Sequence, residues 1–333
     1  VKVALLGPVA WRTPPHHYGP WEQVTSLLAE GLTARGVDVT LFATLDSLTS
    51  ATLDGVCAHG YAEDPAMDGR VWEAMHVAHA FARSAEFDLV HNHLDWLPLA
   101  FSEQCRAPLL TTVHGFSGPA ILPAYARARS RYVSISDSDR SPDLDYAATI
   151  HHGIAFDGFP FRAAAGHGLV VFGRVHPDKG TRTAIEIARR AGMPLTICGI
   201  VADQRYFDEQ ILPHVDGEQV VYLGSVGPEQ RGEILSSAAA LLHPIAFAEP
   251  FGLAVVESMA CGTPVVAYAR GSMPEVVDEG VTGHLVHSVA EAVAAVTRIG
   301  DIDRRQCRDH ARKRFSADRM VDDYLRLYHT IVD

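Results

Sequence analysis

At 333 residues the chain exceeds what one hydrophobic core usually serves, so two domains are expected. A composition of 47% apolar and 20% charged residues suits a globular enzyme, while a formal net charge of −12 argues against a nucleic-acid partner. The cysteines (Cys57, Cys105, Cys198, Cys261, Cys307) are scattered, odd in number and without a CxxC pair, which fits reduced thiols and a cytoplasmic setting. No apolar run reaches the roughly 18 residues of a membrane span. The opening Val-Lys-Val-Ala-Leu-Leu-Gly reads as a core strand entering a loop and not as a signal peptide.

Along the chain, short β-branched or apolar runs alternate with longer helical segments, the pattern of doubly wound parallel sheets. Strands are expected at Val3–Leu6, Val37–Phe42, Leu89–His91, Leu109–Val113 and Tyr132–Ile135, with helices at Trp21–Ala34, Arg70–Ala85 and Trp96–Cys105. The first helix should stop at Arg35-Gly36. Glycine, proline and small residues cluster at about 155–167, which marks a linker between a domain at 1–155 and one at 156–316. The alternation then resumes, with strands at Leu169–Phe172, Leu195–Cys198, Val220–Leu223, Ala240–His243 and Val265–Ala267. Helices are expected at Thr181–Ala191, Pro228–Ser237, Leu253–Cys261, Ala290–Ile299 and Arg304–Arg314. A last helix, Ala317–Ile331, completes the pattern, and 317–333 is expected to pack back on the first domain.

The densest chemical signal runs from Glu249 to Val266: E-P-F-G-L-A-V-V-E-S-M-A-C-G-T-P-V-V. Glu249 follows a strand, Pro250 and Gly252 shape a tight loop, and a helix starts near Gly252-Leu253. The first amides of that helix lack intrahelical partners and favour anions and hydroxyls. Glu257 lies further in, able to accept from a second set of hydroxyls. A second element, Phe172-Gly173-Arg174-Val-His-Pro-Asp-Lys179-Gly180, carries two cations on the loop after a parallel strand, where open α/β sheets bind ligands. In an acidic chain that pairing suits a pyrophosphate.

In this order the two elements closely resemble the retaining GT-B glycosyltransferases of family 4, and the likeness continues through Ser272-Met-Pro-Glu275-Val-Val and Gly280-Val-Thr-Gly283-His-Leu-Val. The resemblance implies the GT-B fold, two Rossmann-like domains facing across a cleft, with the donor on residues 169–287 and the acceptor on 1–150. It implies that Arg174 and Lys179, after Gly173, hold the donor diphosphate as a leaving group. Glu249 and the amides of Phe251, Gly252 and Leu253 would hold the donor sugar, and Glu257 the ribose. In the first domain Gly19 falls where the family has a glycine-rich loop near the phosphates, although Pro20 replaces its second glycine. Thr111-Thr-Val-His114-Gly resembles the active-site histidine segment, and Ser134-Ile-Ser136 the strand before an acceptor-side helix. Ile150-His-His-Gly-Ile resembles the hinge, with His152 in place of asparagine. The whole is also similar to small transferases of actinomycete antibiotic pathways.

The function so implied is metal-independent, hexosyltransferase-like transfer from a nucleoside-diphosphate sugar, UDP before GDP or dTDP, to a hydroxyl acceptor such as an oligosaccharide antibiotic intermediate. No other cofactor is implied. Each residue also has a plainer reading: Glu249 as a helix cap, Glu257 as a solvated charge, Arg174 and Lys179 as surface cations, His114 as a structural histidine, Gly19 as a turn glycine. His91 and His93, like His16-His17 and His151-His152, lack the companions of a metal site. Three Asp-x-Asp pairs, Asp137/Asp139, Asp143/Asp145 and Asp301/Asp303, are expected by chance, with Asp137 at a helix N-terminus. No G-x-G-x-x-G follows the first strand, which disfavours a nicotinamide dehydrogenase. An epimerase of the same fold, or a nucleotide-sugar binding protein without turnover, stands as the alternative.

Overall fold

The structure, a computed structural model, describes residues 1–115, 118–164 and 166–332. It divides into two compact units, Val1–Gly153 with Ala317–Asp333, and Ile154–Ser316.

The first unit is built on strands β1 (Lys2–Leu6), β2 (Asp38–Phe42), β3 (Thr52–Asp54), β4 (Leu89–Asn92), β5 (Leu109–Val113), β6 (Arg131–Ser134) and β7 (Tyr146–Thr149), in the sheet order β3-β2-β1-β4-β5-β6-β7. All pairs are parallel. β4 and β5 are buried along their whole length, as strands covered on both faces must be. Helices α1 (Pro20–Ala34), α2 (Gly69–Ala82), α3 (Leu97–Ala100) and α4 (Leu122–Arg127) connect them. Leu6, Phe42, Phe81, Phe87, Val90 and Leu109 meet in one core.

α1 starts with Pro20 at a position where no amide hydrogen is needed, and buries Val24, Leu28 and Leu32 at helical spacing. It stops where expected. Gly36 takes φ +79°, and Val37 N–H reaches back to the Leu32 carbonyl at 3.1 Å. The C-terminal helix, Ala317–Val332, lies against α1. Arg35 donates to Asp322 at 2.7 Å, and Tyr324 and Tyr328 are fully buried.

Three sequence expectations change here. The helix expected over Trp96–Cys105 is α3 followed by a 3₁₀ turn at Ser102–Gln104, since Pro98 fits only a first turn. β3 and β7 escape the strand pattern because one is three residues long and the other, Tyr-Ala-Ala-Thr, is half exposed. The chain directly after Ser136 forms turns and no helix, so Asp137 starts none; its carboxylate accepts from Thr149 Oγ1.

The second unit repeats the plan with β8 (Leu169–Phe172), β9 (Leu195–Cys198), β10 (Val220–Gly224), β11 (Ala240–His243), β12 (Val265–Tyr268) and β13 (Gly283–Val286), ordered β10-β9-β8-β11-β12-β13 and all parallel. Its helices are α5 (Thr181–Ala191), α6 (Gln204–Tyr206), α7 (Pro228–Ser237), α8 (Leu253–Ala260), α9 (Met273–Val276), α10 (Val289–Thr297) and α11 (Arg304–Phe315), and the C-terminal helix of the first unit is α12. Arg304, buried at the start of α11, donates to the carbonyls of Arg162, Ser236 and Ala238 and to Thr263 Oγ1, at 2.6–3.0 Å. It thereby ties the segment before β8, the end of α7 and the start of β12 to one side chain.

In each sheet the strand order reverses beside the first strand, between β1 and β4 and between β8 and β11. The carboxyl ends flanking such a reversal are where open α/β sheets take ligands.

Gly31 on α1 tests the packing of the last helix. A Cβ there would lie 2.4 Å from Val321 Cγ2 of α12. Alanine favours a helix interior over glycine by about 1 kcal/mol, but the overlap should cost about 1–3 kcal/mol. Gly31→Ala is therefore expected to destabilise the protein in urea unfolding, and Gly300→Ala, which meets nothing within 4 Å, to leave it near wild type.

Candidate active site

In the second unit, β8 ends at Phe172 and the chain turns through Gly173, at φ +151°, into Arg174. The close approach of β9 requires the turn: a Cβ on Gly199 would sit 1.8 Å from the Gly173 carbonyl oxygen. A 3₁₀ turn, Pro177–Lys179, then leads to Gly180 in the left-handed region, where a Cβ would strike the Pro244 carbonyl at 2.0 Å. This turn carries Lys179 across to the end of β11, where its ammonium meets Glu249 at 2.7 Å and lies 4.5 Å from the centre of the Phe247 ring.

Glu249 is largely buried and held on two sides. Burial alone would raise its pKa, but the neighbouring His243 and Lys179 outweigh it and bring the carboxyl down to about 2. His243 Nε2 is 3.6 Å from the same oxygen that meets Lys179. The backbone is clamped as well: Ser272 N–H donates to the Glu249 carbonyl and Ser272 Oγ to the Phe251 carbonyl, both at 2.9 Å. Gly271, at φ +55°, leaves room for this, since a Cβ would lie 2.3 Å from Glu249 N.

Gly252, at φ +89°, caps α8 with no side-chain hydrogen bond, so the amides at the start of that helix depend on other partners. Leu253 opens the helix, and Glu257 follows one turn later. Both Glu257 oxygens lie 3.0–3.2 Å from Arg231 Nη1 on α7. Burial pushes the Glu257 carboxyl up from its ordinary range, with the Arg231 charge opposing it. The Arg231 guanidinium in turn sits 5.7 Å from the Phe172 ring, at the end of β8. Arg174 is more exposed, with Asp178 at 3.8 Å.

Lys179 and Glu249, separate motifs in the sequence, are thus in direct contact. Arg231, His243 and the Gly271-Ser272 clamp were not singled out by the sequence pattern. Ser272 carried a signal as part of the Ser-Met-Pro-Glu run, whereas Arg231 sits on an ordinary helix and carried none.

In the first unit, His114 directly follows β5 and Gly19, at φ +152°, precedes α1. Two residues after Gly19, the Trp21 ring stacks on the His114 ring at 5.2 Å. A row of rings extends from there. His114 Nε2 is 3.0 Å from His93 Nδ1, His93 Nε2 is 3.3 Å from His91 Nδ1, and His114 Nδ1 is 3.3 Å from His152 Nε2. The substitution of histidine for the family's asparagine at 152 therefore adds a ring to this row. His91 closes it through Thr112 at 2.8 Å and Tyr328 at 2.6 Å. His91 and His93 share a strand face at spacing two, a feature visible in the sequence. Their partners Tyr324 and Tyr328, over 200 residues away, were not.

Burial keeps these imidazoles neutral. Burial lowers His93 and His152 to about 3 and takes His91 and His114 well below the ordinary value of 6.5, and neighbouring histidines add to it for all but His93. Among the described residues no group of three or more histidines, cysteines or carboxylates is arranged to hold a metal ion. Among the described residues no helix is long and apolar enough to cross a membrane.

These shifts predict opposing pH effects. The unfolded chain takes up protons below about pH 6.5 while the buried imidazoles do not, so stability falls as pH drops through that value. Glu22, on the first turn of α1, works the other way: burial raises it to about 7, so stability falls as pH rises from 4.5 to 7. Glu22→Gln should raise stability by roughly 2–3 kcal/mol at pH 8, with the gain shrinking toward pH 5 in urea titrations. An equal gain at both pH values would contradict the assigned ionisation.

Residues 22–141 match the family model Glycosyltransferase Family 4, and residues 167–314 match Glycosyl transferases group 1. Glycogen synthase of Mycobacterium tuberculosis is 26% identical over 355 aligned residues, covering 88% of this chain and 85% of that protein. Two other curated relatives, 28% and 30% identical, are matched over only 45% and 46% of their length, so the chain spans about half of each. Among solved structures, AviGT4, a glycosyltransferase involved in avilamycin A biosynthesis, has a TM-score of 0.78 at 23% identity, over 100% of this chain and 98% of that one. Anabaena Alr3699/HepE in complex with UDP and glucose has a TM-score of 0.77 at 18% identity, over 99% of each chain. At such identity the structural likeness carries the fold. With the model Glycosyltransferase Family 4 on the first unit, Glycosyl transferases group 1 on the second, and two parallel sheets of the matching design, the chain has the GT-B fold of those glycosyltransferases.

Proposed function

We propose that this chain transfers a sugar from a nucleoside-diphosphate donor to a hydroxyl acceptor, with retention at the anomeric carbon and without a metal ion. The observation that carries the reading is the Lys179–Glu249 contact at the β8/β11 reversal, a cation and an ionised carboxylate fixed side by side where the sheet takes ligands. A nucleotide sugar is itself two-sided, anionic at the diphosphate and hydroxyl-rich at the sugar. Lys179 and Arg174 suit the first part, and Glu249 with the amides of Phe251, Gly252 and Leu253 suits the second. Glu257 suits the ribose hydroxyls, and Arg231 keeps its carboxylate in place.

The chemistry breaks the bond between the anomeric carbon and the phosphate oxygen, and its electron pair leaves on the diphosphate. The acceptor oxygen then bonds to that carbon and its proton passes to the departing phosphate. Arg174 and Lys179 stabilise the growing negative charge in place of a metal ion. UDP is the favoured nucleotide, with GDP second; the structure of a relative with UDP and glucose supports that order. An oligosaccharide, as in antibiotic assembly, is the proposed acceptor class, and His114 and Gly19 keep the roles that the family resemblance gives them.

Calorimetric titration with UDP, GDP, dTDP, ADP and NAD, with and without Mg²⁺, tests this directly. One diphosphate should bind without metal and, at 100 times its Kd, stabilise the protein by about 2.7 kcal/mol; Glu257→Ala should weaken it. Lys179→Ala should then lower kcat for transfer by about 10²–10³. Binding of none of the diphosphates, or of NAD alone, would sink the reading. Release of epimerised nucleotide sugar without acceptor would replace it with an epimerase.

A further inference from the structure

The row of rings behind His114 has a direction. A neutral imidazole has one N–H and one bare nitrogen, so each ring-to-ring contact must set a donor against an acceptor. The row can meet this rule in two ways, with every N–H pointing toward Tyr328 or every one pointing away. The end group decides between them. Tyr328 Oη is 2.6 Å from His91 Nδ1, and a phenol is a far stronger acid than a neutral imidazole N–H, so the hydroxyl donates.

The remaining protons follow in sequence. His91, accepting at Nδ1, carries its proton on Nε2 and donates to Thr112 Oγ1 at 2.8 Å. His93 Nε2 faces the same bare nitrogen at 3.3 Å, and since two lone pairs would repel there it must present its N–H and share the acceptor with Tyr328, which leaves its own Nδ1 to accept from His114 Nε2–H at 3.0 Å. His114 Nδ1 is left bare and accepts from His152 Nε2–H.

We propose that Tyr328, acting through His91 and His93, sets the tautomer of His114, and that His93 is the positioning residue that delivers it. His114 is held with its proton on Nε2, bound to His93, and its lone pair at Nδ1 on the side of His152. Burial supports this by keeping all four rings neutral, since a charged ring would carry two donors and break the row. A ligand group that took the place of His152 Nε2 at Nδ1 would have to be a hydrogen-bond donor. A sugar hydroxyl meets that condition and an ionised phosphate oxygen does not. The functional weight of His114 rests on the transferase reading; its tautomer does not.

Long-range ¹H–¹⁵N spectra of the full chain, with each ring assigned by single substitution, read the tautomers directly. In the wild type, His91, His93, His114 and His152 should each show a protonated Nε2 and a bare Nδ1. Tyr328→Phe and His93→Gln should each convert His114 to a mixture of tautomers. Tyr324→Phe should leave it unchanged, because the Tyr324 hydroxyl bonds Thr112 and phenylalanine keeps the ring contact with His91. A wild-type His114 protonated at Nδ1 would overturn the proposal, and so would a His114 tautomer indifferent to Tyr328→Phe. If Tyr328→Phe does not fold, the wild-type spectrum alone decides. UDP and GDP titration of the same samples keeps the two readings apart, since lost nucleotide binding with the tautomers as stated sinks only the transferase.

Discussion

A strand in the middle of a parallel sheet, covered by helices on both faces, has no place along its length for a charge that water or a partner must satisfy. In the second unit β8 and β11 are buried at every position and read Leu-Val-Val-Phe and Ala-Leu-Leu-His. Polar groups accumulate where the strands end, and the reversal of strand order opens a gap there between neighbouring connections. The Gly173 and Gly180 turns, the Lys179–Glu249 pair and the helix starting at Leu253 all follow from that placement. In the first unit the same constraint gathers His93 and His114 at the ends of β4 and β5.

Each carboxylate of the candidate donor site is paired before any ligand arrives. Glu249 has Lys179 and His243, and Glu257 has Arg231, so neither buried charge stands alone. Removing a partner from such a pair costs more than the pair itself contributes. The supporting residues consequently matter almost as much as those that would touch substrate. Because groups already oriented need not reorganise when charge develops, the arrangement suits the leaving diphosphate of the proposed reaction.

Much of this was legible in the sequence, for identifiable reasons. The strands that carry β-branched and apolar runs, and α1 with its Arg35-Gly36 stop, declare themselves locally. Glu249, Gly252 and Glu257 sit in one contiguous run, and Arg174 and Lys179 on one loop. The edge strands β3 and β7 bury too little to leave a pattern. Asp137 followed the sequence cues of a helix start, yet the chain there forms turns and its carboxylate binds Thr149. Arg231, His243 and the two tyrosines of α12 could not be placed, because their significance lies in which distant residue the topology brings beside them. His91-x-His93 showed its alternation but not its partners.

The first unit is discontinuous: its last helix follows the whole of the second unit in the chain. On the ribosome, residues 1–153 emerge while Tyr324 and Tyr328 do not yet exist, and synthesis at roughly 5–20 residues per second leaves an interval of many seconds. During it, His91 and Thr112 lack their hydroxyl partners and the face of α1 around Gly31 lies uncovered. The second unit, a single unbroken segment, can complete its sheet first. The nascent first unit thus keeps an apolar face open until α12 arrives, and any premature stop that removes α12 leaves it so.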